Sequence, residues 1–277
     1  MLIGAAIKLT ERPGGGVPGK IGAADRAALE VALRLREHWG GRLTVASAGT
    51  ERADPLLREA LALGADAAIR LDPQSAGTSD APPGSPAGIA ATARALADAL
   101  DGCDVVVCGD YSEDGGTGAV PALLAASSGR AQALGLIAVR PAGEPGEPGE
   151  AGTVLAERRL DQGRRERLRV RVPMVLSVEG SAATLRRAPL PGVLAARQAP
   201  IEVRAARPPA VGPAVTLRAY RPRAHVVPPP AGVTGLERIE HLLGDTTRRE
   251  PPRRIDAPPD EAAREILDQL ERWGYLT

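Results

Sequence analysis

Short apolar runs alternate with longer amphipathic segments through the first half of the sequence. The apolar runs predict four strands, at Met1–Ile7, Leu43–Ala48, Ala67–Leu71 and Asp104–Cys108. Apolar residues recur between them with a helical period, which predicts three helices, at Asp25–His38, Pro55–Leu63 and Ser85–Leu100. Strands that alternate with helices predict an α/β fold with a doubly wound, mostly parallel sheet and helices on both faces.

The pattern changes beyond Gly129, where extended segments replace the alternation of helices and strands. Four such segments are predicted, at Ala133–Val139, Thr153–Leu160, Arg165–Val172 and Met174–Val178. Asp161-Gln162-Gly163 predicts a hairpin turn between the second and the third of them. We therefore expect a small extended β element beside the main sheet.

The last third of the chain predicts an arm instead of a second core. Pro200 to Pro259 is rich in Pro and Arg and poor in apolar runs. A final helix is predicted at Asp260–Arg272, and its apolar face needs a partner surface. We predict an α/β domain over residues 1–199 and an arm over residues 200–277 that ends in a helix and wraps a partner subunit.

The loop after the fourth predicted strand is the most informative segment. Gly109 to Val120 is rich in Gly and acidic residues and leads into a helix of small residues. Glycines let the backbone approach an anion closely, and the unpaired N–H groups at a helix start favour negative charge. A tight turn that binds nothing is the alternative. The loop lacks the lysine of a P-loop, so ATP cleavage is not expected.

Composition narrows the class of protein. The 35 basic and 34 acidic residues leave a formal charge of +1, which gives no large net attraction to nucleic acid or lipid. Cys103 and Cys108 predict buried free thiols in a reducing compartment, and their five-residue offset along one strand predicts side chains on opposite faces. No run approaches the roughly 20 apolar residues of a membrane span. We expect a cytoplasmic protein with no transmembrane segment, no metal site and no nucleic-acid partner.

Several motifs in fixed order resemble the β subunit of electron-transfer flavoproteins. The resemblance covers roughly residues 1 to 204. It rests on the consistent order of several motifs more than on any single motif. The similar segments are Ala5–Lys8, Ala24–Glu37, Leu57–Leu71, Cys108–Ala125, Leu155–Val178 and Ala188–Val203. The Arg-rich tail and the Trp273-Gly274-Tyr275-Leu276 ending are more similar to the mycofactocin-associated variant than to the fatty-acid-oxidation form.

The resemblance implies a fold of the adenine-nucleotide-binding type and specific cofactors and partners. The family's β subunit pairs with an α subunit that holds most of the FAD, and it usually buries AMP as a structural ligand. Electrons pass from a donor dehydrogenase through FAD to a quinone-linked acceptor. The resemblance therefore implies an electron-carrier subunit with FAD shared with the α subunit, AMP as a further ligand and no catalytic residue of its own.

Site residues follow from the family's motifs by position. The AMP contacts correspond to Ala6, Ala48, Gly109, Asp114, Gly115, Gly116, Thr117, Gly118, Ala119 and Val120. The loop departs from the family at Gly116, Ala119 and Pro121, where Asp, Gln and Gly are frequent. A side-chain hydrogen bond is lost at Ala119, while backbone donors remain at Gly115 to Gly118. Leu190 and Pro191 correspond to the loop on which partner dehydrogenases dock.

Other functions remain open from the sequence alone. A stand-alone adenine-nucleotide-binding or stress-response-like module without a redox role is the main alternative. The carboxylates of Asp110, Glu113 and Asp114 suit catalysis or, more commonly, the start of a helix. Arg186, Arg187 and Arg197 suit either the steering of acidic partners or a solvated face, which is the commoner role of such charges.

Overall fold

The computed structural model describes residues 1–10, 20–72, 86–114, 116–143, 151–206, 230, 232–243 and 254–275. The chain forms two compact units, Met1–Thr216 and Leu217–Thr277. The predicted division at residues 199 and 200 stays a prediction. Residues 144–150, Gly115 and parts of the predicted arm (207–229, 231, 244–253 and 276–277) lie outside the described residues.

The strands of the described chain are β1 (Leu2–Ala6), β2 (Leu9–Thr10), β3 (Lys20–Ile21), β4 (Arg42–Ala48), β5 (Ala67–Asp72), β6 (Val105–Gly109), β7 (Ala131–Pro141), β8 (Thr153–Arg159), β9 (Arg165–Arg171), β10 (Met174–Val178) and β11 (Glu202–Ala205). The helices are α1 (Ala23–Trp39), α2 (Asp54–Ala62), α3 (Pro86–Ala99), α4 (Val120–Ser128), α5 (Leu190–Gln198), α6 (Gly235–Leu243) and α7 (Pro259–Arg272).

Nine of the strands form one sheet in the order β11-β5-β4-β1-β6-β10-β7-β8-β9. The first seven in that order pair in parallel, and β7-β8 and β8-β9 pair antiparallel. Because β1 lies in the middle and the chain winds outward from it in both directions, the predicted doubly wound, mostly parallel fold is confirmed.

Two apolar layers cover the sheet, one on each face. Val105 and Val107 of β6 pack in one layer with α1 and α2, while Val106 and Cys108 pack in the other with α3 and α4. The alternation of side chains along a strand turns residues toward both apolar layers, which explains why the inner strands are mostly apolar. Burial on both faces fixes the register of the strands and so the position of the loops that follow them.

The predicted extended element is confirmed as β7, β8 and β9, an antiparallel extension of the main sheet. The turn at Asp161–Gly163 joins β8 to β9, and Gln162 occupies the left-handed region with φ 60°. The segment Met174–Val178 was predicted as part of this extended element. In the structure it is β10, an inner parallel strand of the main sheet between β6 and β7.

Some elements have no counterpart in the sequence prediction. These are the two-residue strands β2 and β3, the edge strand β11 and the helices α5 and α6. All four residues of β11 are exposed, so no pattern of burial marks it.

The expected placement of the cysteines on opposite faces is wrong. Cys103 precedes β6, so the alternation of that strand does not reach it, and both cysteines pack in the layer with α3 and α4. Both are free and buried, as expected.

The second unit contributes α6 and α7 among its described residues. In α7, Pro259 replaces the predicted start at Asp260 and the helix ends at Arg272 as predicted. Both helices expose apolar side chains: Leu236, Ile239 and Leu242 in α6, and Ile266 and Leu267 in α7. Each helix is therefore amphipathic, with an apolar side that is exposed to solvent.

Candidate functional site

The predicted nucleotide contacts lie at the carboxyl ends of three neighbouring strands. Ala6 ends β1, Ala48 ends β4 and Gly109 ends β6, and these strands lie side by side with β1 in the middle. Parallel strands end at the same edge of a sheet, where α/β proteins bind their ligands. The structure thus brings Ala6, Ala48 and the loop after Gly109 to one edge.

Glycines shape the loop after β6. Gly116 and Gly118 have φ of 62° and 59°, a region that residues with a side chain rarely adopt. A Cβ on Gly118 would lie 2.9 Å from the carbonyl oxygen of Asp110, so the loop closes tightly on itself. Gly115, the remaining glycine of this run, lies outside the described residues.

The backbone N–H groups of the loop are only partly available to a ligand. Gly116 donates its N–H to the carbonyl oxygen of Ser112 at 2.9 Å, so this expected donor is already engaged. The N–H groups of Thr117 and Gly118 donate to no residue in the described part of the chain. These two N–H groups are therefore candidate anion donors of the loop.

Helix α4 begins directly after the loop. Ala119 precedes it with φ −86° and ψ −21° and provides no side-chain cap. Pro121 lies in the first turn, where its missing N–H costs least. The positive end of the α4 dipole therefore faces the loop without a capping side chain of its own, which favours an anion there.

Lysines offset the acidic residues of the loop. Lys8, just after β1, contacts Asp114 with 2.7 Å between Nζ and Oδ1. Lys20, at the start of β3, lies 3.7 Å from Glu113. Because the acids are partly neutralised, the loop does not repel an anion as strongly as its sequence suggests.

A buried carboxylate joins two of the strand ends. Asp25, in the first turn of α1, is 8% exposed and accepts the N–H of Lys8 at 3.0 Å as well as the N–H of Gly109. Burial raises the pKa of Asp25 to about 7, although both N–H groups and the Lys8 charge lower it. Its carboxyl therefore changes charge near neutral pH while it contacts both strand ends.

Other titratable groups near the loop are shifted by burial. The pKa of Asp110 is raised by burial and by the nearby charge of Glu179. Burial raises the pKa of the Cys108 thiol to about 12, which keeps it protonated and unreactive. The arrangement provides hydrogen-bond donors and glycines that suit the binding of an anion.

The predicted docking residues lie on a different element, at the start of α5. Leu190 is the first residue of this helix and is 70% exposed, and Pro191 follows it at the surface. Leu194, one turn later, is 53% exposed. The three residues present a small apolar surface to solvent.

The opposite side of α5 is fixed to α2. A Cβ on Gly192 would lie 2.3 Å from the carbonyl oxygen of Ala62, so only glycine allows this approach. Ala196, one turn later, is buried. Arg58 of α2 donates from Nη1 to the carbonyl oxygens of Ala196, Arg197 and Ala199 at 2.7, 3.2 and 3.2 Å. These contacts cap the end of α5 and hold its outer face in place.

The three arginines around α5 differ in role. Arg186 contacts Glu30 of α1, with Nε 3.0 Å from Oε2, and also Glu37. Burial would raise the pKa of Glu30, but hydrogen bonds from Arg186 and Arg34 lower it below its ordinary value. Arg186 therefore has a structural role, in an ion pair with two residues of α1. Arg187 and Arg197, by contrast, are exposed to solvent.

The sequence analysis missed three residues that contact the candidate sites: Lys8, Asp25 and Arg58. Asp25 entered the sequence analysis only as the first residue of a predicted helix, where an acid is common. Its contact with Gly109 depends on how α1 lies against β6. Lys8 and Asp114 are 106 residues apart in the sequence, so no local pattern relates them.

Comparison with known proteins identifies the family. A family model described as "Electron transfer flavoprotein domain" matches residues 15–209. An electron transfer flavoprotein subunit beta from Thermoanaerobacterium thermosaccharolyticum is 42% identical over 107 residues, 38% of each chain. One from Mycobacterium bovis is 34% identical over 184 residues, 64% of this chain and 63% of the relative. Protein FixA from Azorhizobium caulinodans is 30% identical over 192 residues, which are 69% of this chain and 66% of the relative.

These matches span between 38% and 66% of the lengths of the three relatives. Among the described residues, no helix combines the length and the apolar character needed to cross a membrane. The family match extends over most of the chain, including the loop after β6 and helix α5. The chain belongs to the electron transfer flavoprotein family, and its relatives include β subunits of that family.

Proposed function

We propose that this chain is the β subunit of a heterodimeric electron-transfer flavoprotein in the cytoplasm. It takes part in carrying electrons from a donor dehydrogenase, through FAD held mainly by an α subunit, to a quinone-linked acceptor. The family match over residues 15–209 carries the proposal, because it includes both the loop after β6 and the surface of α5. The Arg-rich tail and the Trp273-Gly274-Tyr275-Leu276 ending support the mycofactocin-associated variant.

The loop after β6 is proposed to hold AMP as a structural ligand. The N–H groups of Thr117 and Gly118 and the start of α4 fit a phosphate, and Lys8 and Lys20 reduce repulsion from the loop acids. Ala6 and Ala48, at the ends of the neighbouring strands β1 and β4, have small side chains. Nothing in this role requires bond cleavage.

FAD supplies the electron-accepting chemistry when it is bound, and this chain supplies binding surfaces around it. The outer face of α5 is proposed to dock the donor dehydrogenase through Leu190 and Pro191. One exposed apolar anchor suits a weak contact that must dissociate quickly. The apolar sides of α6 and α7 are exposed. We propose that they pack on the α subunit, as an arm that wraps its partner would.

Co-expression with an α-type subunit tests the heterodimer. We expect a yellow complex that contains both chains, one FAD and, after denaturation, released AMP that chromatography can quantify. A colourless chain that never pairs contradicts the proposal. An isolated chain that forms its own dimer around AMP or ATP would instead favour the stand-alone nucleotide-binding module.

Substitution of Leu190 tests the docking surface within that complex. We expect Leu190→Ala to slow reduction by the donor about tenfold or more, through a higher KM for the carrier, with an unchanged flavin spectrum. Leu160→Ala is the matched control, because Leu160 is also an exposed leucine, at 42%, but lies in the turn after β8. Equal rates for the two variants would remove Leu190 from the docking site.

A further inference from the structure

The last strand of the sheet carries a row of arginines on one face. Arg165, Arg167, Arg169 and Arg171 alternate along β9 and all four are exposed. The residues between them, including Leu168 and Val170, face the core on the α1 side. The arginine side chains therefore lie on the opposite face of the sheet, and we call this set the arginine row.

The neighbouring strands add further positive charge to the same face. Strand register places Glu157 and Arg159 of β8 beside Arg167 and Arg165, and it places Arg140 of β7 beside Leu155 of β8. Glu157 lies 2.7 Å from Arg165 and 3.8 Å from Arg167, so a single carboxylate is shared between two arginines. The chain as a whole has a formal charge of only +1, so this face carries more positive charge than the average of the chain.

The backbone of β9 also faces outward at the arginine positions. Val172 donates its N–H to Gly152, and the carbonyl oxygen of Arg164 accepts from Leu160, so the even-numbered residues face β8. Backbone groups alternate along a strand, so those of the odd-numbered residues point away from β8. β9 is the end strand of the sheet in the described chain. Each arginine thus combines an exposed side chain with an outward-pointing backbone.

We propose that the edge of β9 binds an extended acidic segment of a partner protein, which adds to the sheet as a further strand. Carboxylates at every second residue of that segment recur about every 6.6–6.8 Å, the spacing of the arginine row. A guanidinium group can bind a carboxylate through two hydrogen bonds while the strand backbones pair. This inference goes beyond the electron-carrier function and does not depend on it.

Single-stranded nucleic acid fits the arginine row less well. Proteins that bind it combine basic grooves with aromatic side chains that stack on the bases. β9 contains no aromatic residue, and aromatic residues make up 2% of the chain. Charged residues on an edge strand can also protect the edge against self-association. In that role the arginine row would bind no acidic ligand.

Peptide binding to the full chain tests the proposal. The probe is a fluorescently labelled peptide of alternating Glu and Thr that is as long as β9, 7 residues. Its controls are a peptide of the same composition with all Glu in one block, and an oligothymidylate of equal charge. In fluorescence anisotropy, we expect the alternating peptide to bind best; equal or tighter binding of either control, or no binding, overturns the proposal.

N-methylation separates strand addition from charge attraction alone. In a paired strand, every second amide of the peptide faces β9 and the others face away from it. Methylation of the amides that face β9 should abolish binding of the peptide, whereas methylation of the other amides should leave its affinity unchanged. Because both peptides keep every carboxylate, equal affinities would show that no strand is added and would overturn the proposal.

Paired arginine substitutions test which surface of the protein is used. We expect Arg167→Gln with Arg171→Gln to weaken binding about fivefold and to reduce its salt dependence. The matched control, Arg187→Gln with Arg197→Gln, removes the same charge from exposed positions near α5. All four side chains are exposed, so we expect both variants to fold as the parent does, which circular dichroism checks. Equal weakening by the two pairs overturns the proposal.

Discussion

The loop after β6 and the outer face of α5 differ in how many of their residues are engaged in contacts within the chain. In the loop, close packing at Gly109 and Gly118, the buried Asp25 and the Lys8–Asp114 pair engage most of the residues that shape it. In α5, one side is fixed to α2 and the other, with Leu190, is left to solvent. Substitutions in the loop should therefore affect folding and ligand binding together, whereas those on the outer face of α5 should affect binding alone.

The largest effect is expected at Gly109. A Cβ there would lie 2.5 Å from Oδ1 of Asp25 and 3.0 Å from Ala24, both of them buried. We expect Gly109→Ala to lower the free energy of unfolding by about 3 kcal/mol, as overpacking of a filled site does. Chemical denaturation measures this. Gly49→Ala is the control, because its Cβ would make an ordinary 3.5 Å contact with Ala53; equal losses would contradict the close-packing argument.

The charge of Asp25 should give the next largest effect. Its pKa is raised from 3.8 to about 7, so the folded state binds more protons than the unfolded state between these values. Stability from this group therefore falls as pH rises from about 4 to about 7. The difference in unfolding free energy between the parent and Asp25→Asn should shift by about 2–3 kcal/mol between pH 5 and pH 8.

Asp66 provides the control of opposite sign for that measurement. Burial would raise the pKa of Asp66, but hydrogen bonds from Arg36 and Leu43 lower it below its ordinary value of 3.8. Its contribution to stability is present above that value and is lost as pH falls through the lowered pKa. The stability difference between the parent and Asp66→Asn should therefore stay flat between pH 5 and pH 8. A flat difference for Asp25→Asn as well would refute the proposed titration.

A smaller effect is expected at Arg186. Arg186→Ala leaves the buried Glu30 with Arg34 as its remaining partner, and we expect a loss of about 1–2 kcal/mol of stability. The neighbouring exposed Arg187 is the matched control, and Arg187→Ala should change stability by less than about 0.5 kcal/mol. Thermal denaturation of the two variants compares them; similar melting temperatures would mean that Arg186 is also no more than a solvated charge.

The smallest effect on folding is expected at Leu190. Since its side chain is 70% exposed, Leu190→Ala should change the free energy of unfolding by less than about 0.5 kcal/mol. The same denaturation measurement on Gly192→Ala, which lies on the fixed side of α5, should show a much larger loss. A similar loss for both variants would mean that α5 has no separate outer face.

The sequence predicts the parallel sheet and its helices because buried strands and amphipathic helices leave clear patterns. The run Val105–Cys108 is apolar throughout since both its faces are covered. Helix α5 contains Pro191 and Gly192, which argue locally against a helix, although Pro suits its first turn and Gly192 allows contact with α2. The loop was predicted as an anion site from its glycines, and the other contacts of the candidate site follow from the family resemblance by position. The contacts of Asp25 with Lys8 and Gly109 depend on packing between distant segments.

Arg58 connects the proposed docking surface on α5 to helix α2. Its guanidinium holds three carbonyl oxygens at the end of α5 but belongs to α2. A helix fixed in this way loses little motional freedom when a partner binds, so more of the contact energy is retained as affinity. Under the proposed docking role, substitution of Arg58, a residue on a different helix from Leu190, would therefore change how long a partner stays bound.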